Sequence, residues 1–87
     1  MSAKNKLIEF TSSSNRYSSP AQIKTIVATG TAGNFSCKLV DSKGSTICNI
    51  NGLQNTTVVV PVDMSDEVDA VNIDTFTNVS SAQISIA

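Results

Sequence analysis

Histidine and tryptophan are both missing from this 87-residue chain. Without imidazole it lacks the commonest general base and the commonest metal ligand. Two cysteines alone cannot complete a zinc site, which takes four ligands. Glycine is sparse as well: Gly30 and Gly33 are followed by no Gly-Lys-Ser/Thr, which excludes a phosphate loop. Serines abound, yet none sits in a nucleophile elbow or a Ser-x-x-Lys arrangement. An acid, a base and a nucleophile are what catalysis needs. The expectation is a non-enzymatic protein without cofactors.

Long apolar runs are absent too. A signal peptide needs a basic start followed by about 7–15 continuous apolar residues. Here Lys4 and Lys6 lead only to Leu7-Ile8 before Glu9 and a serine run. Nothing approaches the roughly 20 apolar residues of a membrane span. Synthesis in the cytoplasm without export, and no membrane partner, are therefore expected. Six scattered basic residues against seven acids make no phosphate-tracking stripe, which argues against nucleic acid.

What the chain does contain is β-branched and hydroxylic residues. Ser, Thr and Asn account for 30 of the 87 positions, and the apolar 40% is mostly Val, Ile and Leu. Such side chains fit a pleated surface, whereas Ser, Thr and Asn compete with helical backbone hydrogen bonds. Apolar runs alternate with turn signals at residues 6–11, 21–29, 34–40, 45–50, 56–62, 68–76 and 82–86, while 12–20 reads as a polar loop. Asn51-Gly52 is a strong turn dipeptide. Pro61 cannot donate to a ladder, so its strand lies at an edge or ends there. Residues 63–70 are the one place where a helical turn is conceivable. The whole predicts an all-β, antiparallel β-sandwich of about seven strands, immunoglobulin-like or jelly-roll in type. Residues 1–20 form an N-terminal arm or edge strand plus polar loop, and 21–87 the sandwich domain.

Cys37 and Cys48 flank the hairpin CKLVDSKGSTIC. A two-residue loop at Ser42-Lys43 sets the thiols face to face, ready to bridge. A type I turn with a bulge at Gly44 pairs Cys37 with Asn49 and puts the sulfurs on opposite faces. The Asp…Gly placement favours the second form and two free, partly buried thiols.

Charge is unevenly spread. All six basic residues precede residue 44, and five of the seven acids fall between Asp63 and Asp74. The pattern describes either two solvated faces or complementary ends that meet between copies. Asp63, Asp66, Glu67 and Asp69 are candidate oxygen ligands for Ca²⁺, but their spacing is not that of an EF-hand and a solvated acidic loop is the simpler reading. Sugar stacking needs an exposed ring. Phe35 and Phe76 read as core, which leaves Tyr17 either as a platform or as a cap on one end of the core.

Two stretches, TIVATGTAGNFSCKLVDSKGSTICNINGL and VDAVNIDTFTNVSSAQISI, resemble the hairpin pattern of small virion proteins of tailed bacteriophages, the β-sandwich head-decoration, cement and head-fibre modules. The resemblance spans most of residues 21–87 and lies in pattern and composition. It implies a structural protein on the virion, made in the host bacterial cytoplasm and held by the major capsid protein or another virion protein, and by copies of itself. It also implies that the N-terminal segment docks on a capsid or a neighbouring copy, with Lys4, Lys6, Arg16 and Tyr17 as anchors, since basic and aromatic side chains supply most interface hot spots. The alternatives are a small carbohydrate- or surface-binding module and a protein-binding inhibitor.

Overall fold

A computed structural model describes residues 6–87. Eight strands follow one another: β1 (Lys6–Phe10), β2 (Arg16–Tyr17), β3 (Ile23–Gly30), β4 (Phe35–Val40), β5 (Thr46–Gly52), β6 (Thr57–Pro61), β7 (Val71–Thr77) and β8 (Val79–Ile86). They form two antiparallel four-stranded sheets, ordered β1-β8-β3-β6 (sheet A) and β2-β7-β4-β5 (sheet B). The expected all-β sandwich is thus the fold, with eight strands in place of seven.

The strand order has a simple origin. β1 pairs with β8, β2 with β7, β3 with β6 and β4 with β5. The chain is one long antiparallel hairpin, its tip at residues 41–45, rolled so that successive pairs alternate between sheets. This is the eight-stranded jelly roll, not an immunoglobulin arrangement. One consequence explains the uneven charge. Rolling sets the first half of the chain beside the second, so the basic and acidic halves meet within a single molecule, as in Lys24–Asp63 at 3.2 Å and Lys38–Asp74 at 3.8 Å.

The core lies between the sheets. Sheet A contributes Ile8, Phe10, Ile23, Ile26, Ala28, Ala82, Ile84 and Ile86, and sheet B contributes Phe35, Cys37, Leu39, Ile50 and Val71. Each fully buried Ile, Leu, Val or Phe is worth about 1.5–3 kcal/mol of transfer free energy, so this cluster outweighs any surface contact. Ile8 and Phe10 belong to it, so β1, an edge strand of sheet A, packs into the sandwich.

Bulges adjust which side chains reach that core. In β3, Ile23 pairs with Ile86 and Thr25 with Ser85, so Lys24 is the extra residue. It turns outward, and Ile23 and Ile26 both point in despite their odd spacing. This is why the sequence shows β-branched residues at both alternations here.

The β4–β5 hairpin opens with the Gly44-bulged turn. The Gly44 N–H donates to the Asp41 carbonyl at 3.1 Å, Asp41 N–H to the Ser45 carbonyl at 3.0 Å, and Gly44 has φ 85°. The Asp41 carboxylate accepts from Lys43 N–H and Ser45 N–H, both at 2.9 Å. A second irregularity follows that neither sequence-based register included. Val40 pairs with Thr46 but Leu39 with Cys48, so Ile47 is extra and Cys37 pairs with Ile50, not with Asn49. The one-residue slip moves Cys48 onto the inner face. Both thiols are free, Cys37 buried and Cys48 half-buried.

Three further expectations are corrected, and one open alternative, the helical turn, is closed. Arg16–Tyr17, expected as loop, is a two-residue strand on β7. Residues 63–70 form no helical turn: Ala21 and Val68 bridge, and Val62 and Asp63 both donate to the Lys24 carbonyl. Asn51-Gly52 ends β5, and the turn comes two residues later, closed by Thr56 N–H on the Leu53 carbonyl. The β7–β8 turn shrinks to Asn78, whose φ of 56° is a conformation asparagine tolerates. Pro61 is the last residue of β6, an edge strand of sheet A.

Candidate functional site

Of the four expected anchors, the structure brings two together, Lys6 and Tyr17. Lys6 occupies an inward register position opposite Ile86, but at the very end of the sandwich. Tyr17 pairs with Val71, which is fully buried, so its ring also points in. The Lys6 ammonium sits 5.1 Å from the centre of that ring. The pair closes one end of the core, linking the edge strands of the two sheets by an ammonium over an aromatic face. Arg16 lies on the opposite, solvent-facing side of β2. Lys4 lies outside the described residues.

The acidic loop disperses instead of converging. Asp63 faces Lys24. Asp69 reaches the hairpin tip, where it accepts from the Ser42 hydroxyl and, at 3.2 Å, from the Ser42 N–H. Those bonds, the hydroxyl first, hold its carboxyl below the usual carboxylate range. Asp66 and Glu67 are exposed. Among the described residues no three His, Cys, Asp or Glu side chains gather as a metal site would require.

The interior offers packing but little chemistry. Burial pushes the Cys37 thiol up to about 11, with the nearby Cys48 sulfur adding to the effect, and burial raises Cys48 as well. Thiols held protonated are poor nucleophiles. Among the described residues no polar or charged residue is buried. All four aromatic rings turn inward, Phe10 and Phe35 completely and Tyr17 and Phe76 in part. Tyr17 and Phe76 keep part of their surface exposed, and the Lys6 ammonium lies over the Tyr17 ring.

The surface is where the molecule is differentiated. Loops at the Lys6–Tyr17 end, residues 41–45 and 62–70, carry Asp41, Lys43, Asp63, Asp66, Glu67 and Asp69. Loops at the opposite end, residues 31–34, 53–56 and Asn78, carry no ionisable side chain. Hydrogen bonds tie these neutral loops into one platform. Thr31 N–H donates to the Asn78 carbonyl at 3.0 Å, Asn55 N–H to the Thr31 carbonyl at 3.2 Å, and the Asn78 amide to the Asn34 carbonyl at 3.1 Å. Leu53 projects from the platform, 67% exposed. Beside it a shallow groove of about 440 Å³ runs between Asn34, Phe35, Ser36, Asn51 and Gly52. A second groove, about 530 Å³, lies at the charged end between Lys6, Leu7, Lys24, Ser85 and Ile86. Sequence reasoning missed the neutral platform, because its three loops are distant in the chain and each alone reads as an ordinary turn.

No protein-family model matches this chain, and neither a curated protein nor a solved structure matches it.

Proposed function

We propose that this chain is a non-enzymatic virion structural protein of a tailed bacteriophage, which decorates or cements the capsid through protein–protein contacts. The observation that carries the reading is the strand order, an eight-stranded jelly roll, an architecture that recurs in viral capsid proteins. That is an argument by fold, and folds host many functions. The side chains agree with it: the thiols are held protonated, Asp63 and Asp69 go to separate partners, and what the surface offers is shape and hydrogen bonding. Exposed edge strands and a neutral platform suit a module that acts by being gripped.

Lectins use the same architecture, which keeps a carbohydrate-binding module as the competing reading. The inward-turned aromatic rings tell against it, because sugar recognition leans on an exposed ring face.

Density-gradient purification of phage particles from a host expressing the tagged chain tests the proposal. The chain should co-migrate with particles at a fixed ratio to the major capsid protein. A chain that stays in the soluble fraction, or one that is retained on a glycan array and released by free sugar, would defeat it.

A further inference from the structure

Three features of the charge-free end converge. Its loops are cross-linked by their own backbone, so binding would cost them little ordering entropy. Its apolar knob, Leu53, stands directly beside a groove, and Leu53 itself forms one wall of that groove. Finally, the platform carries no charge of either sign.

From these we infer that the charge-free end is a self-association surface, on which two copies meet across a two-fold axis, the Leu53 of each seated in the partner copy's groove. A knob adjacent to its own hole is what an isologous contact requires, since each surface must supply both halves of the fit. Charge permits the same occupant. Apposing a surface to itself sets like beside like, which penalises any patch rich in one sign. A neutral platform meets its own copy without that cost, whereas the opposite end, with five acids on two loops beside Lys6, Lys24 and Lys43, would have to bring opposite charges into register. The groove walls add donors and acceptors that pair in a self-contact, including Ser36 and Asn51, already bonded to each other at 2.8 Å.

The surface is small. Nine loop residues and the groove walls fall well short of the roughly 20–30 residues a side of a standard interface. The lone pair is therefore weak, and repetition on a particle would convert it to strong binding through effective concentration. The inference rests on the reading that this chain works by protein contacts, but it fails or stands separately from attachment to a virion.

Sedimentation velocity on the whole chain, from about 10 μM to about 1 mM, tests it. A reversible dimer is expected, unchanged between low and high salt because no charges meet. Leu53→Asp should weaken association at least about tenfold, as removal of a central anchor does. Leu7→Asp, an exposed leucine at the far end, should leave association alone. Both positions are exposed, so circular dichroism and thermal midpoint should match the wild type. A chain monomeric throughout, an association abolished by salt, or one indifferent to Leu53→Asp overturns the inference. Glycan retention that is lost in Leu53→Asp while the chain sediments as a monomer does so too, by giving the platform another occupant. Particle binding that persists in Leu53→Asp without any dimer removes this surface and spares the virion reading. A salt-insensitive, Leu53-dependent dimer that never joins particles does the reverse.

Discussion

Cys37 and Cys48 lie on the same inner face of sheet B, as diagonal neighbours: Cys37 is opposite Ile50, and Cys48 is opposite Leu39. The bulge at Ile47 places them there. Directly opposite cysteines could bridge, but diagonal neighbours on an antiparallel pair stand about 7–8 Å apart and need backbone movement to do so. Mass spectrometry after mild oxidation should find two thiols, and a thiol reagent at neutral pH should label Cys48 before Cys37.

The same pair makes a prediction for alkaline pH. The Cys37 thiol ionises at about 11 when folded, against 9.0 for the free group. A raised folded value means that its contribution is complete below 9 and disappears as pH climbs through 11. Over that window the wild type should lose on the order of 2 kcal/mol more than Cys37→Ala does, measured by urea denaturation at each pH. Parallel curves for the two proteins would contradict the burial assigned to this thiol.

Phe35 packs against the backbones of Gly30 and Gly52, so closely that a Cβ on Gly52 would overlap its ring. Gly52→Ala should therefore destabilise the fold by about 1–3 kcal/mol, the usual cost of overpacking. Combining it with Phe35→Leu should cost less than the sum of the two changes, because the smaller side chain vacates the contested space. Strict additivity in the double mutant would argue against that contact.

At acid pH the sensitive contact is Ser42–Asp69. The folded carboxyl titrates below its usual value, so its stabilisation is intact above about 4 and fades as pH falls through the lowered value. Wild type should thus lose more stability than Ser42→Ala on going from pH 5 to strongly acid solution. Identical acid profiles would show that the hydroxyl bond contributes nothing.

Tyr17 and Lys6 separate packing from charge at the same end of the core. Lys6→Met keeps a long side chain over the ring and removes the cation, which should cost no more than about 0.5–1 kcal/mol. Tyr17→Ala should cost more, about 1–3 kcal/mol, because it uncovers Val71 and the core behind it. Arg16→Ala, facing solvent, should stay within about 0.5 kcal/mol. A larger effect for Lys6 than for Tyr17 would reverse the roles assigned here.

Much of this molecule was legible along the chain. β-branched composition and alternation placed seven of the eight strands to within a few residues, and Pro61 marked an edge because proline cannot donate to a ladder. Asp41 and Gly44 announced their turn, since a bulge residue with positive φ favours glycine. These are local properties, decided by what a few neighbouring residues can adopt. Tertiary structure decided the rest: the bulges at Lys24 and Ile47, the two-residue β2, the face on which Cys48 lies, and the meeting of three uncharged loops at one end. A bulge forms when two strands must both satisfy a core that lies beyond either of them, and a shared platform exists only after the hairpin has rolled. No single stretch of sequence contains that information, because the partners that settle each question arrive from the other half of the chain.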